Sequence, residues 1–520
     1  MKKTKITTIF FILVILLLFL KSDFRVINEL NCCQDDYDYY SHALTIAQDF
    51  DFDYSNQLVS GKRFYLNGKD APKGFLGSGL LASPFLFFGI LLDKLFGESH
   101  NILTYKKLLY SFSSVFYLFF SLNLIKKSID NKLETKTLIL AFFGSGVAYF
   151  AFERFSMTHV YEVFTVSLII YLTIKYYSDE NSTSIFSLFL PLSFLLGFLV
   201  RWTNYYILFI PFIILKITFK GNAKKYILKD PIFLVSSALS LGLFSYLSKA
   251  IYGVVTFSPT FVYQASNISS NLVNELNSNF FNVFLKLFKD TYHILFTQEF
   301  GLVWFSPVIF LGLLMTCYAL LFSSTNKFAY FVILLCYGQS FFVVSLWTST
   351  ASSYGFRYLY SLIPLSFYVL SNSEGTDRYP VFIKYLKYSS IFSILSILFF
   401  ESTTGTQLST EVVINSFGIE DRYSQPYYLT GFIESLTMLT AYLKIFATSF
   451  LGLFSFKFLL ITIGSENLNL LLKDLGLSFE NKDFVDLLSS IEIIEIHKFI
   501  LILLICIYIS NYFYEKIISD

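Results

Sequence analysis

Long apolar blocks alternate with short polar joints along the chain. The blocks run to about 20 residues, the length at which an α-helix crosses about 30 Å of hydrocarbon. The pattern predicts spans near 6–21, 78–97, 103–125, 137–152, 157–177, 184–200, 201–219, 231–251, 301–323, 327–347, 354–372, 384–400, 440–463 and 497–514. The stretch 184–219 divides in more than one way, so about 12 to 14 crossings are expected. The expected fold class is an all-α, polytopic transmembrane helical bundle.

Four polar segments interrupt this body, at 22–77, 253–300, 401–430 and 464–496. The last has helical periodicity and is expected to lie along a surface. The chain thus divides into a transmembrane region (1–463), an amphipathic surface segment (464–496) and a last transmembrane helix with its tail (497–520). No repeat with a period of roughly 20 to 50 residues is present, which excludes a solenoid. The two halves do not resemble each other, which weighs against a transporter built from inverted repeats.

Composition agrees with the pattern. Of 520 residues 55% are hydrophobic and only 15% charged, and the mean hydropathy is +0.59. Soluble domains carry roughly a quarter charged residues. A net charge of +2 supplies no broad basic field, so no nucleic-acid partner is expected. Five cysteines show no metal-ligand spacing and imply no disulfide framework. The start, MKKTK followed by an apolar run, reads as a retained signal anchor with its lysines inside and residue 22 onward outside. Lys126, Lys127, Lys132 and Lys136 mark the loop 126–136 as cytoplasmic. Strict alternation puts that loop outside if both 78–97 and 103–125 cross, so either one of them is re-entrant or the charge rule fails there.

The first external segment, NCCQDDYDYYSHALTIAQDFDFDYSNQ, holds six aspartates and no Lys or Arg between Asp35 and Asp53. Asp36, Tyr40, Ala43, Leu44 and Ala47 share one helical face, which predicts a short amphipathic helix over 35–48 at the membrane surface. Asp35 alone would serve as an N-cap. The cluster suits something more, because simple anchoring at an anionic surface calls for Lys and Arg. A carboxylate held there can act as a general base on a hydroxyl that attacks a carbon bound to a lipid phosphate. The leaving phosphate then needs cationic or donor groups.

Such groups stand at other helix ends. FERFSMTHVYEVF brings Glu153, Arg154, His159 and Glu162 to the junction of two spans. Arg201 and Asn204 interrupt an apolar run, Glu299 opens another, and Arg357 lies one turn into a third. Ionisable groups at membrane depth cost at least a few kcal/mol and are functional candidates, although Arg201 could also snorkel or pair structurally. Trp202, Trp304 and Trp347 are expected at membrane interfaces.

These residues give the chain a resemblance. It is similar to polytopic glycosyltransferases of the GT-C fold, in particular the bacterial protein O-mannosyltransferase and aminoarabinose transferase group (glycosyltransferase family 39-like). That group has an Asp-x-x-x-Tyr-Tyr or Asp-Glu-x-x-Tyr loop after the first helix, matched here by DDYDYY. DFDFDYSN, APKGFLGSGLLASPF, ERFSMTHVYE, RWTN, GLVWFSP and SSYGFR follow in the group's order from about residue 30 to 370. Arg154 and Trp202 replace prolines of the group's motifs, and a glycine pair is missing around Ser349–Ser352. The resemblance implies inverting transfer of a hexosyl or pentosyl unit from a polyprenyl-phosphate donor to a glycan, lipid or protein acceptor. The site would face outward from a bacterial plasma or inner membrane. It implies Asp35 as the catalytic carboxylate with Asp36 in support or in its place, and Tyr39 as the motif's aromatic residue. Arg201, Arg357 and His159 would contact the lipid phosphate, Lys73 the acceptor or headgroup, and Glu153, Asn204 and Glu299 would line the site. The aspartate-rich loop offers oxygen ligands suited to Mg²⁺ or Mn²⁺, but it has no fixed ligand spacing, and no metal or other cofactor is expected. A flippase or transporter of lipid-linked sugars would share the helices and intramembrane arginines without needing the acidic first loop, whereas a polysaccharide polymerase or ligase is closer in chemistry but calls for a large late external loop, for which 401–430 is short and poor in cations.

Overall fold

The computed structural model describes residues 34–57, 64–66, 69–72, 74–96, 104–130, 132–152, 154–179, 185–224, 226–256, 280–297, 301–322, 326–347, 355–372, 379–399 and 450–475, with isolated positions 485 and 488–489. Among these the chain is mostly helical. The expected acidic helix is present as α1 (Gln34–Leu44), continued by a wider turn over Thr45–Asp49 and stopped where Phe50 takes a left-handed conformation (φ 59°). A small antiparallel hairpin follows, β1 (Phe64–Leu66) paired with β2 (Lys69–Ala71), Tyr65 opposite Asp70.

The helical body begins with α2 (Gly77–Phe96) and α3 (Tyr105–Ile129). Thr104 caps α3 by accepting from the Lys107 amide, and Asp130 ends it at φ 50°. The block expected as one span over 137–152 is two helices, α4 (Thr135–Phe143) and α5 (Val147–Phe152), broken at Gly144-Ser145-Gly146. Then come α6 (His159–Ser178), α7 (Ile185–Val200), and a 3-10 turn (Tyr205–Phe209) that leads into α8 (Ile210–Ile217). A 3-10 turn at Ile227–Lys229 precedes α9 (Pro231–Tyr252). Asp230 caps α9 by accepting from the Ile232 and Phe233 amides, Pro231 fills its first position, and Gly253 closes it at φ 72°.

Beyond these lie α10 (Phe280–Phe296), the single turn α11 (Leu302–Phe305), α12 (Pro307–Phe322) and α13 (Lys327–Trp347). A 3-10 turn (Arg357–Leu362) runs into α14 (Ile363–Ser371), followed by α15 (Tyr379–Phe399) and α16 (Phe450–Asp474), which breaks at Gly464. The expected spans 301–323 and 354–372 are therefore each interrupted, by Ser306-Pro307 and by the 3-10 turn. Spans 6–21 and 497–514, and most of 464–496, lie outside the described residues.

Five of the described helices are long and apolar enough to cross a membrane: α2, α3, α6, α9 and α13. Several hydroxyls inside the bundle, such as Ser121, Ser167 and Thr173, donate to the carbonyl four residues earlier, so they enter an apolar interior satisfied.

The lysine-bearing loops meet at one end. Thr218 at the end of α8 bonds Tyr368 in α14, Lys132 donates to Asn372, and the Lys224 amide donates to the Tyr177 carbonyl in the last turn of α6. Ser187 and Asp230 join the starts of α7 and α9 there. The first two helices of the body pair antiparallel. Tyr117 donates to the Leu81 carbonyl, and Asp93 accepts from the Tyr105 and Lys106 amides, so α2 lies along the first half of α3 and its C-terminus points away from Lys126–Lys132.

At the other end, α2 begins in close backbone contact with two neighbours. A Cβ on Gly77 would lie 2.3 Å from the Val200 amide nitrogen at the end of α7, and one on Gly79 would lie 2.8 Å from the Ala43 amide in α1. Backbone cannot yield as a flexible side chain can, so Gly77→Ala should lower stability by about 1–3 kcal/mol. Gly242→Ala, on α9 with nothing within 4 Å of the new Cβ, should raise stability by about 0.5–1 kcal/mol, because alanine is the better helix former. Thermal unfolding in detergent compares the two.

Candidate functional site

Two buried polar clusters are joined by the segment 154–162. The first fixes α1. Asp36, 1% exposed, accepts from Ser156 Oγ at 2.6 Å and from Arg154 Nη2 at 3.3 Å. The turn that presents these partners is held by the Arg154 amide on the Tyr149 carbonyl and the Met157 amide on the Arg154 carbonyl. A buried pair of this kind is weak evidence for net stability, but removing one partner strands a charge at a cost of about 3–5 kcal/mol.

The rest of α1 grips the turn that leads into α2. The Gly74 amide donates to Asp38 Oδ2 at 3.3 Å, and the Tyr39 ring packs so closely on Gly74 that a Cβ there would lie 2.5 Å from its edge. The Gly74 carbonyl accepts from His42 Nε2 at 2.8 Å and from the Tyr252 hydroxyl at 3.2 Å. Because a carbonyl only accepts, Nε2 of His42 carries the proton, and Nδ1 receives the Tyr54 hydroxyl at 2.7 Å.

The second cluster is built around Glu162, in the first turn of α6. Its Oε1 lies 3.0 Å from His159 Nδ1 and 3.7 Å from Arg201 Nη1, and its Oε2 accepts from Asn204 Nδ2 at 3.2 Å. His159 and Glu162 meet because residues three apart share a helical face. Arg201 and Asn204 reach them from the turn that ends α7, where the Arg201 amide bonds the Gly197 carbonyl and the Asn204 amide bonds the Arg201 carbonyl. The 3-10 turn before α14 completes the cluster. The guanidinium carbons of Arg201 and Arg357 lie 4.5 Å and 5.2 Å from the Tyr358 ring centroid, and Ser361 donates to Asn204 Oδ1. Arg357 and Tyr358 are half-buried, and Arg201 keeps 17% of its side chain exposed. The cationic side of the cluster is thus open to a ligand, while Glu162 is sealed behind it.

The clusters adjoin. Thr158, between Ser156 and His159, donates to the Val200 carbonyl, the residue before Arg201. Trp202, expected at an interface, is instead buried and stacked on Phe75 at 4.7 Å. Trp304 is 40% exposed, in keeping with an interface position.

Of the expected site residues, the fold brings His159, Arg201, Asn204 and Arg357 together and sets Asp36 and Tyr39 at the neighbouring cluster. Asp35 lies in the first turn of α1, and its side chain is outside the described residues, as are Lys73, Glu153 and Glu299. Glu162, visible in the sequence but given no role there, is the centre of the second cluster. Its position three residues after His159 was the available signal. Ser156 was marked only by lying in the ERFSMTHVYE segment, and Tyr358 carried no signal in the sequence. No family model, curated protein or solved structure matches the chain.

Burial of His42 pushes its imidazole down from 6.5 to about 4, although the bond to Gly74 favours the charged form. The folded state therefore prefers the neutral ring. The stability tied to that preference is intact above pH 6.5 and is lost as pH falls toward 4, amounting to about 3 kcal/mol. Between those values His42→Gln should flatten the fall in unfolding temperature relative to wild type, as measured by thermal unfolding across a pH series.

Proposed function

We propose that the chain is a GT-C-like membrane glycosyltransferase that moves a sugar from a polyprenyl-phosphate donor to an extracytoplasmic acceptor with inversion. One observation carries this reading: residues 154–162 tie an acidic helix to a pair of guanidiniums. Asp36 is clamped by Arg154 and Ser156, and nine residues or fewer along the same segment Glu162 holds Arg201 beside Tyr358 and Arg357. A base and an anion-binding group are what displacement at a phosphate-linked sugar carbon requires.

In this reading Asp35 is the base. Both oxygens of Asp36 already accept from Ser156 and Arg154, so Asp36 serves by anchoring α1. The base removes the proton from the acceptor hydroxyl as that oxygen attacks the anomeric carbon. The carbon–oxygen bond to the phosphate breaks with its electrons leaving on the polyprenyl phosphate, whose charge Arg201 and Arg357 receive. The base later returns its proton to water. A single displacement from the face opposite the phosphate inverts the centre.

The arrangement of charge supports a multi-pass protein whose lysine end faces the cytoplasm of a bacterial cell. With α2 running away from that end, α3 alone carries the chain from the acidic side to the loop 126–136. This reading keeps both the inside N-terminus and the charge rule.

Sugar transfer in proteoliposomes, with a panel of polyprenyl-phosphate sugars, tests the reading. Wild type should turn over one donor, and Asp35→Asn, inserted and folded normally, should fall by about 10²–10⁴-fold. Undiminished transfer by that variant would remove Asp35 as base. Absence of transfer with every donor, together with lipid movement between leaflets, would replace the enzyme with a flippase.

A further inference from the structure

Away from the polar clusters, α7, α8 and α9 enclose an apolar groove of about 930 Å³. Its walls run from Pro191 to Phe198 on α7 and on to Trp202 in the turn beyond it, from Tyr205 to Leu215 through α8, and from Phe233 to Phe244 on α9. The wall on α9 covers eleven residues of helical rise, about 16 Å. That height matches the hydrocarbon of one leaflet, half of about 30 Å. The groove therefore fits chains that enter from one membrane face and stop near the bilayer's middle.

The charge of the groove says which face. Among the described residues that line it, Lys229 is the one charged side chain. It stands at the lysine end, its ammonium 5.8 Å from the Tyr226 ring centroid. Asp230, the nearest carboxylate in sequence, is buried, bonded to Ser187 and committed to capping α9. Arg201 does not line the groove. It sits next to Trp202, at the opposite end, with its guanidinium turned toward Glu162. A cation at the mouth and apolar walls one leaflet deep suit a lipid whose anionic phosphate rests at the membrane surface with its tails inside.

The geometry points to a binding site for an anionic diacyl phospholipid of the lysine-side leaflet, its phosphate on Lys229 and its acyl chains along α7, α8 and α9. This site is separate from the one in which the donor's phosphate would meet Arg201, and it requires only that the chain be embedded in a bilayer. Its failure would leave the transferase reading untouched.

Native mass spectrometry of the full chain, delipidated in detergent and then offered equal phosphatidylglycerol, phosphatidylcholine or polyprenyl phosphate, tests the inference. Wild type should retain phosphatidylglycerol about fivefold better than phosphatidylcholine, the preference expected of one lysine near an anionic headgroup. Lys229→Glu, a change at an exposed residue, should abolish that preference, and Ser237→Trp, which fills the groove, should remove the bound lipid. Equal retention of phosphatidylglycerol and phosphatidylcholine would overturn the inference. So would retention of polyprenyl phosphate that depends on Arg201 and ignores Lys229, which would make the groove a donor-tail track. Wild type that retains no lipid would also overturn it, by showing the groove closed to lipid.

Discussion

Glu162 is a carboxylate 1% exposed in the first turn of a helix apolar enough to cross a membrane. A charge in that position is costly unless partners surround it, and here the partners come from its own helix and the end of α7, with the turn before α14 packed behind them. His159 comes from its own helix, Arg201 and Asn204 from the end of α7, and Arg357 with Tyr358 and Ser361 gathers around them from the turn before α14. Satisfying one buried carboxylate thus brings three helix ends together and leaves two guanidiniums over one ring. The rest of the site is arranged around that constraint.

The acidic helix obeys the same logic at one remove. Asp36 is buried because Arg154 and Ser156 meet it, and those residues open the segment that begins α6. Gly77 and Gly79 then allow α2 to lie against both α7 and α1 at backbone contact, which holds the two clusters side by side. On this account the acidic stretch is not a loose surface loop. It is keyed into the bundle through Asp36, Asp38 and His42, while Asp49, Asp51 and Asp53 remain on its more exposed continuation.

Much of this architecture could be read from the sequence, because hydropathy is a local property. The spans expected at 157–177, 184–200, 231–251 and 327–347 agree with α6, α7, α9 and α13 to within two residues. Where the reading failed, a window average had run across a breaker that the sequence does contain: Gly144-Ser145-Gly146 within 137–152, or Ser306-Pro307 within 301–323. The site was harder to read, because its bonds are long-range. Asp36 and Arg154 are 118 residues apart, and Ser361 and Asn204 are 157 apart. No periodicity reports such pairings. The sequence could mark Arg201 and Arg357 as costly at membrane depth, but only the fold shows that Glu162 is what gathers His159, Arg201 and Asn204.

The central claim is that Glu162 and Arg201 act as one unit in receiving a lipid phosphate. A double-mutant cycle on polyprenyl phosphate binding tests it most directly, using Glu162→Gln, Arg201→Gln and the double variant after each is shown to be folded. The account predicts that each single change weakens binding and that the double variant binds no worse than the weaker single one, because either change alone already dissolves the unit. Losses that simply add, or a Glu162→Gln variant that binds as wild type does, would contradict it.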